Sequence, residues 1–222
     1  MFAACWSVKG GSGTTVVAAS LALVLSRGDA GALLVDLDGD APAVLGLSAP
    51  SGPGVGDWLA AGSGVPRDGL ARLEVAVRDG LALLPRGDGP IGPPARVEVL
   101  AGLLASETRS VVVDCGTRRR APSPSGDDPR APILAAADHR LLVTRACYLS
   151  LRRVVAGVDR PTGVVLVSEP GRALQRRDVE DVVGVPVVAE VPCDPAVARA
   201  IDAGLLAARL PRVLDRALGQ AR

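Results

Sequence analysis

Short runs of apolar residues, many of them β-branched, alternate along the chain with longer segments spaced as in helices. The short runs are continuously apolar rather than alternating, which predicts strands covered on both faces. Strands are expected over residues 2–8, 32–38, 81–85, 110–116, 139–144, 163–168 and 185–191. Helices are expected over residues 15–27, 95–105, 148–158, 173–183 and 195–219. This order predicts an α/β fold in which a mostly parallel, twisted sheet carries helices on both faces.

Two stretches between these elements, 48–69 and 116–132, are dense in Gly, Pro and Ser. We expect both to be mobile surface loops, because this composition favours turns over regular elements. At 222 residues and 48% hydrophobic, the chain fits one domain, 1–222, better than two.

Composition limits the classes of binding partner and the cellular compartment that we expect for the chain. A net charge of +1 with 22% charged residues gives no global field that would draw nucleic acid or a membrane. The four cysteines lie far apart and the chain has one histidine, which argues against a zinc site or a disulfide framework. The first residues, MFAACWSV, lack a basic leader region, and no apolar run is as long as a membrane span. We expect a cytoplasmic protein with reduced thiols, peripheral to a membrane at most.

A glycine-rich segment, KGGSGTT at residues 9–15, lies between the first predicted strand and the first predicted helix. The ligand crevice of an open parallel sheet lies at the carboxyl ends of its strands, where this turn offers free backbone N–H groups. The glycines permit the backbone to curl around an anion, and Thr15 is placed to offer a hydroxyl to Mg²⁺. A tight turn that binds nothing is the alternative. Lys9 is the only lysine among 25 Lys and Arg, which favours a chemical need for its ammonium group.

Three carboxylates occupy the carboxyl ends of two other predicted strands. Asp36 and Asp38 end one strand, and Asp114 ends another. Carboxylates that converge on a glycine loop are what a Mg-nucleotide site needs. Each alone could be a helix N-cap or a loop residue, but three at corresponding strand ends favour the nucleotide site.

These segments resemble the motifs of the ParA/MinD superfamily of positioning ATPases. Residues 9–15 are similar to its deviant Walker A motif, KGGxGK[ST], and VVVD at 111–114 is similar to its Walker B strand. LLVDLDGD at 33–40 resembles the second Asp-rich motif, and 186–204 resembles the C-terminal P-x-D segment. Residues 133–154 are most similar to the CpaE/TadZ-like pilus-assembly and septum-site branch. The resemblance covers nearly the whole chain and implies a P-loop NTPase fold.

The resemblance also implies ATP and Mg²⁺ as cofactors and a homodimer as the active form. Lys9 matches the lysine that reaches across the dimer to the phosphates of the other subunit, and Asp36 matches the residue that orients the attacking water. Metal contacts are implied for Thr15, Asp38 and Asp114. Nucleotide contacts are implied for Lys9, Gly10, Gly11, Ser12, Gly13, Thr14, Thr15, Asp38, Ser168 and Pro192.

The chain departs from the family pattern at Thr14, where a second lysine is expected. Losing a charge-assisted hydrogen bond to the phosphates costs ~1.5–3 kcal/mol or more, which is roughly tenfold to several hundredfold in affinity. We expect weakened binding and slow or absent hydrolysis, so that the chain is at most a slow ATPase. Asp40 stands where the ParA branch tends to have Gln, and Ser168 stands near a position where relatives often have Asn. These two departures leave adenine specificity open.

Two other features have alternative interpretations. Arginine clusters at 118–120, 152–153 and 176–177 could form a DNA-binding face, but solvated arginines in an Arg-rich chain are favoured. The segment 205–222 carries an apolar stripe that could anchor to a membrane, but packing on the sheet is favoured because Pro211 interrupts the helix. Trp6 and Trp58 are expected to be core or interface anchors.

The resemblance implies a nucleotide-binding dimer that positions a pilus or secretion apparatus, a septum or a DNA-partition complex, together with a protein partner. One alternative is a pseudo-ATPase scaffold that dimerises without nucleotide, and another is a partition ATPase that binds DNA non-specifically. A metabolic or metallocentre-maturation ATPase of the same superfamily is disfavoured because the sequence has no metal-binding Cys or His cluster.

Overall fold

The computed structural model of the chain describes residues 1–48, 50–62, 69–118, 128–157 and 159–220. These residues form an eight-stranded sheet with the order β3-β4-β2-β5-β1-β6-β7-β8. The strands are β1 (Phe2–Ser7), β2 (Ala32–Asp36), β3 (Val75–Arg78), β4 (Leu81–Leu84), β5 (Ser110–Thr117), β6 (His139–Arg145), β7 (Gly163–Ser168) and β8 (Val187–Pro192). The helices are α1 (Thr14–Leu25), α2 (Ala41–Leu45), α3 (Val55–Ala60), α4 (Pro94–Ala105), α5 (Ala131–Ala136), α6 (Tyr148–Ala156), α7 (Arg176–Val183), α8 (Pro195–Asp202) and α9 (Arg212–Gly219).

The sheet is parallel except at one edge, where β3 pairs antiparallel with β4. Every residue of β1 is buried, and alternate residues of this strand enter different cores. Phe2, Ala4 and Trp6 pack into a cluster with α4 and α5, whereas Ala3 and Cys5 pack into a cluster with α1 and α9. Because successive strand residues point to opposite faces, helices cover both sides of the sheet. The predicted α/β fold is therefore confirmed.

Edge strand β3 was not expected from the sequence. It is four residues long and its burial alternates, in contrast to the continuous burial of β1 and β2. A single predicted helix over 195–219 is wrong, because the segment divides into α8 and α9. Gly204 adopts a left-handed conformation with φ of 66° after α8, and Pro211 caps the start of α9. Both features interrupt a helix.

Parts of the two predicted loops have regular structure. The stretch 48–69 contains α3, whose Trp58 is buried with the Arg96 guanidinium 4.1 Å from its ring centroid. The stretch 116–132 includes the end of β5 and the start of α5. Residues 49, 63–68 and 119–127 lie outside the described residues. The mobility of these loops stays a prediction.

The C-terminal helix packs on the sheet, as predicted. Leu206, Leu214 and Leu218 are fully buried in the cluster that also contains α1. The apolar stripe of this segment is therefore used inside the fold rather than presented to a membrane. Among the described helices, none has the length and apolar character to cross a membrane. The cysteines are unpaired, and Cys5 and Cys115 are buried, as expected.

Candidate functional site

The glycine loop (residues 8–13) joins the central strand β1 to α1 at the carboxyl edge of the sheet. Gly11 and Gly13 have φ of 75° and 91°, in the left-handed region that favours glycine. The Ser12 hydroxyl donates to the Lys9 carbonyl over 2.7 Å, which holds the curl of the loop. A Cβ placed on Gly11 would meet no described atom within 4 Å, so the concave side of the loop is open.

Helix α1 directs its positive end at this loop. Its first-turn N–H groups have no partner within the helix, and its first turn contains no acidic residue. Thr14 is only 7% exposed, so the threonine in place of the expected lysine is enclosed at the base of the loop. The site offers backbone donors and a helix dipole to an anion, but no ammonium group from position 14.

Two of the predicted carboxylates face each other across adjacent strands. Asp36 of β2 is paired in register with Asp114 of β5, and both are fully buried. Asp36 accepts hydrogen bonds from the backbone N–H groups of Asp38, Gly39 and Ala41, at 2.7–3.0 Å. Burial raises the Asp36 pKa, while these three N–H groups lower it in part.

Asp114 has one oxygen available to a cation. Burial raises its pKa to about 7, against the lowering effect of the Thr15 hydroxyl and the Gly116 N–H. Its Oδ1 accepts from Gly116 N at 2.9 Å, whereas its buried Oδ2 has no donor with full hydrogen-bond geometry in the described ranges. A buried carboxylate oxygen without a donor, beside a threonine hydroxyl, is suited to Mg²⁺ or to a water bound by Mg²⁺.

The Asp38 carboxylate packs against Gly116, near the carboxyl end of β5. Gly116 has φ of 61°, and a Cβ placed on it would lie 2.0 Å from Asp38 Oδ1. Glycine is therefore required for the Asp38 carboxylate to approach β5. Within the described ranges, no three Cys, His, Asp or Glu side chains form a complete metal site. Mg²⁺ here would need phosphate oxygens and water as further ligands, as is usual for this ion.

The end of β5 is fixed by arginines that the sequence did not single out for this purpose. Arg130 donates to the Cys115 carbonyl at 2.5 Å and forms an ion pair with Asp128 at 2.9 Å. The buried Arg118 pairs with Asp128 at 2.9 Å and with Asp159 at 2.8 Å. Arg118 therefore supports the strand rather than a DNA-binding face. Arg118, Asp128 and Arg130 all come from the predicted loop 116–132, and Asp159 comes from the segment after α6, so their pairing depends on how that loop folds back on itself.

The other arginine clusters divide between structural and exposed roles. Arg176 donates to Glu180 and to the Val187 carbonyl, and Arg153 donates to the Val8 carbonyl. Arg152 is exposed on α6. Residues 119 and 120 of the triplet lie outside the described part of the chain.

Positive charge collects on the other side of the glycine loop, at the carboxyl ends of β6 and β7. Glu169 accepts from Arg145 Nη1 at 2.6 Å and from Arg172 Nε at 2.6 Å. Its pKa is lowered by the Arg172 hydrogen bond, and the charges of Arg145 and Lys9 add to the effect. Three cations thus surround one carboxylate.

Cys147 also senses this charge. Burial raises its pKa, but hydrogen bonding with Ser150 and the charges of Lys9 and Arg172 bring the pKa below its usual value. Lys9 therefore lies towards β6 and β7. We call Lys9, Arg145, Glu169 and Arg172 the cationic flank, and Asp36, Asp38 and Asp114 the acidic flank.

A cleft of about 490 Å³ opens beside the cationic flank. It is lined by Glu169, Pro170, Gly171, Arg172 and Cys193. The predicted nucleotide contacts Ser168 and Pro192 are paired in register at its edge, where Cys193 N donates to the Ser168 carbonyl at 2.7 Å. Glu169 and Arg172 were missed in the sequence, although charged residues directly after a strand at this edge were a usable signal.

The structure thus brings the predicted site residues into two neighbouring groups. Residues 9–15 and the acidic flank form one group around the end of β1, and Ser168 and Pro192 form the other, at the ends of β7 and β8. Together they provide an anion cradle, carboxylates for a divalent cation and a cleft wide enough for a small organic moiety.

Comparisons with known proteins identify the family and the fold of the chain. Residues 4–207 match the family model described as the CobQ/CobB/MinD/ParA nucleotide binding domain. No curated protein sequence matches the chain. A ParA family ATPase from Chlorobium tepidum TLS is 22% identical, with a TM-score of 0.74 over 97% of this chain and 95% of that chain.

Two further solved structures are similar to the same extent. MinD complexed with Mg-ADP from Pyrococcus horikoshii OT3 is 20% identical, with a TM-score of 0.72 over 99% of this chain and 93% of that chain. A chain of the MinC:MinD cell division complex from Aquifex aeolicus is 17% identical, with a TM-score of 0.74 over 100% of this chain and 94% of that chain. At these identities the likeness concerns the fold.

Proposed function

The chain belongs to the CobQ/CobB/MinD/ParA nucleotide-binding domain family, and from this premise we propose that it binds a Mg-nucleotide between two copies of itself. The resulting homodimer positions a cellular machine in the cytoplasm: a pilus or secretion apparatus, a septum or a DNA-partition complex. Hydrolysis of ATP is slow or absent.

One observation carries this proposal. Thr15, which ends the glycine-rich segment, acts on Asp114 through its hydroxyl, and the buried Oδ2 of Asp114 has no donor with full hydrogen-bond geometry among the described groups. A carboxylate with a raised pKa and an open coordination position next to an anion cradle is explained by a cation that binds together with an anion. The Mg-ADP complex of the similar MinD from Pyrococcus horikoshii supports the choice of a Mg-nucleotide.

In this proposal each group has a defined task. The loop amides and the positive end of α1 bind the phosphates, and Gly11 and Gly13 give the backbone its curvature. Thr15 and Asp114 hold Mg²⁺, which neutralises phosphate charge, while Asp38 contributes through bound water. Asp36 is fixed by three backbone N–H groups and uses a remaining lone pair to orient water.

The proposed slow hydrolysis of ATP follows from the threonine at position 14. A lysine there would offset the charge that develops on the transferred phosphoryl group, and the Thr14 hydroxyl supplies one hydrogen bond and no charge. Lys9 lies towards the cationic flank of its own chain, so in the proposed dimer it acts on the phosphates of the partner.

Protein partners follow from the family. The MinC:MinD complex of Aquifex aeolicus is an assembly of a similar chain with another protein, and we propose that this chain likewise acts through a partner. A DNA-binding role has less support, because Arg118 and Arg176 are engaged in contacts inside the fold.

A nucleotide-independent scaffold is the second candidate. It is favoured by the enclosed Thr14 and by the Asp114 pKa of about 7, because a protonated carboxyl group does not bind Mg²⁺. In this case the same two copies would associate without nucleotide.

Isothermal titration with Mg-ATP separates the candidates. We expect weak binding by the wild-type chain and a gain of roughly tenfold to 150-fold in Thr14→Lys, equivalent to ~1.5–3 kcal/mol, with faster phosphate release. Thr14→Met is the matched control, because it adds length without charge and should not tighten binding. Lys9→Ala should lower the rate of ATP hydrolysis strongly. Its effect on the affinity of one copy for Mg-ATP should be smaller, because Lys9 acts on the nucleotide of the partner. If neither the wild-type chain nor Thr14→Lys binds at millimolar Mg-ATP, the scaffold candidate replaces the proposal.

A further inference from the structure

Helix α8 begins beside the cleft and is held mainly at its two ends. It starts at Pro195, two residues after Cys193, which lines the cleft. None of its eight residues is buried, although the side chain of Val197 packs against the core cluster that contains α1. A helix of this length spans about 12 Å. Because so little of it enters the core, the contacts at its ends set its position.

The amino end of α8 is tied to the cleft. The Asp194 carboxylate caps the helix by accepting from the backbone N–H of Ala196 at 2.7 Å. The N–H of Cys193 donates to the Ser168 carbonyl at 2.7 Å, which joins this turn to the end of β7. A displacement of α8 at this end would therefore move the part of the cleft wall that Cys193 forms.

The carboxyl end of α8 rests on the backbone at the end of α2. Gly46, directly after α2, has φ of 79°, and a Cβ placed on it would lie 2.0 Å from the carbonyl oxygen of Gly204. The same Cβ would lie 2.5 Å from the carbonyl carbon and 2.8 Å from the Cα of Gly204. All three atoms belong to the backbone, so no change of rotamer could relieve the overlap. The two segments meet at a distance that only glycine permits.

Helix α2 is itself fixed to the acidic flank. Asp36 accepts from the N–H of Ala41, the first residue of α2, at 3.0 Å. Ala41 and Leu45 are fully buried, so a shift of α2 would disturb the packed core. Contacts thus run from Asp36 through α2 to Gly46, across to Gly204, and along α8 to the cleft.

These contacts join the two groups of predicted site residues outside the sheet. Asp36 belongs to the group around the end of β1, whereas Ser168 and Pro192 belong to the group at the ends of β7 and β8. Within the sheet, β6 lies between the two groups. A ligand that binds both groups must match the distance between them. A rigid second connection fixes that distance before the ligand arrives, which lowers the cost of binding.

We propose that α2 and α8 form a bridge, closed by the contact of Gly46 with Gly204, that positions the cleft relative to the glycine loop and the acidic flank. Gly46 and Gly204 are positioning residues, because they act through the turn that carries Cys193. The inference rests on the proposed function in one respect, since the cleft is taken to receive the base and sugar of the nucleotide.

Hydrogen exchange of the ligand-free full chain, measured by NMR, tests the bridge. Gly46→Ala forces the two backbones apart, and α8 is the side that is free to move. We expect the Cys193 amide, at the far end of α8, to exchange about fivefold faster or more. Gly184→Ala is the matched control, because Gly184 also ends a helix, with φ of 78°, but a Cβ there meets no described atom within 4 Å beyond its own helix. The control should leave exchange of the Cys193 amide within about twofold of wild type.

Competition against a fluorescent ATP analogue tests the positioning role. Mg-tripolyphosphate probes the phosphate site alone, whereas Mg-ATP probes both groups. In Gly46→Ala the affinity for Mg-ATP relative to Mg-tripolyphosphate should fall about fivefold or more, because a shift of about 1 Å misplaces the cleft. Affinity for Mg-tripolyphosphate should stay within about twofold of wild type, since the glycine loop is unchanged. Gly184→Ala should keep the wild-type ratio.

Ala198→Gly keeps the test decisive if Gly46→Ala does not fold, which the unfolding midpoints report. Ala198 is exposed on α8, so a glycine there loosens the helix without removing a side-chain contact of the core. Both measurements should change in the same direction as in Gly46→Ala, by about two- to threefold.

The inference is overturned if the Cys193 amide exchanges as in wild type in the folded variants of the bridge, if their affinity ratio is unchanged, or if Gly184→Ala alters either measurement as much. If the wild-type chain binds neither Mg-ATP nor Mg-tripolyphosphate, the proposed function fails. The exchange measurement then decides by itself whether the bridge holds the cleft.

Discussion

The two flanks of the glycine loop differ in the burial of their side chains as well as in the sign of their charge. On the acidic flank, Asp36 and Asp114 are fully buried and receive their hydrogen bonds from backbone N–H groups. On the cationic flank, Arg145 and Arg172 are a third to a half exposed and bond to one side chain, Glu169. The acidic flank is thus built into the strands, whereas the cationic flank rests on flexible side chains.

This difference fits different tasks. Buried carboxylates on a rigid backbone hold a fixed geometry, as a small divalent cation requires. Exposed arginines adapt their position to a ligand or a partner at little cost, because long side chains at the surface keep much of their rotamer freedom. We therefore expect changes on the acidic flank to have larger effects than changes on the cationic flank.

The largest expected effect is on metal-dependent binding. Asp114→Asn keeps the shape of the side chain but removes the charge that would hold Mg²⁺, so affinity for Mg-ATP should fall about a hundredfold. Titration of a fluorescent ATP analogue with Mg²⁺ and with EDTA measures the loss, which should disappear in EDTA. Asp29→Asn, an exposed carboxylate beyond the carboxyl end of α1 and away from the loop, is the control. An equal loss in both variants would contradict the special role of Asp114.

A second prediction compares two glycines in left-handed conformation, one on each flank. In Gly116→Ala the new Cβ would overlap Asp38 from Oδ1 to Cβ, at 2.0–2.8 Å, whereas in Gly171→Ala it meets no described atom within 4 Å. We expect Gly116→Ala to lose about 3 kcal/mol of unfolding free energy in urea, from left-handed strain and overpacking together. Gly171→Ala should lose about 1–2 kcal/mol, from strain alone. Equal losses would show that the flanks are packed alike.

The pKa of Asp114 gives a third prediction, for metal-free buffer. Because the folded-state pKa of about 7 lies above the usual value, the stabilising protonated form is fully present at low pH. As pH rises, the unfolded chain releases its proton first, and stability falls until the folded chain has released its own. Unfolding free energy should fall by about 2 kcal/mol between about pH 5 and pH 8.

The same experiment on a variant isolates the carboxyl group. In Asp114→Asn the fall with pH should be clearly smaller, and the part that remains comes from Asp36, whose pKa is also raised by burial. Glu107 and Asp128 have a pKa lowered to about 2, so their contributions are lost only at more acidic pH and do not obscure this window. An identical slope in the variant and the wild-type chain would assign the pH dependence to other groups.

The sequence predicted the acidic flank much better than the cationic flank. Continuous apolar runs that end in Asp placed Asp36 and Asp114 at one edge of the sheet, because parallel strands share their carboxyl edge. The cationic flank depends on rotamers and on a turn after β7, where Glu169 joins Arg145 at the end of β6 to Arg172 of the same turn. Edge strand β3 and the interruption at Gly204 were missed for a similar reason, since local conformation there depends on tertiary contacts.

The smallest expected effect is on the cationic flank itself. Glu169→Gln removes the one carboxylate among Lys9, Arg145 and Arg172, and leaves an amide that still accepts hydrogen bonds. Because these pairs are partly exposed, unfolding free energy should change by less than about 1 kcal/mol. The uncompensated cations should instead raise affinity for an anionic nucleotide about two- to fivefold at low salt, and this gain should vanish above ~0.5 M salt. Glu180→Gln is the control and should not change the affinity for nucleotide. Glu180 lies on α7 and accepts from the N–H of Val187, the first residue of β8, at the end of the strands away from the glycine loop. A loss of affinity in Glu169→Gln would mean that the carboxylate contacts the nucleotide directly, and that the two flanks are more alike in function than their depth suggests.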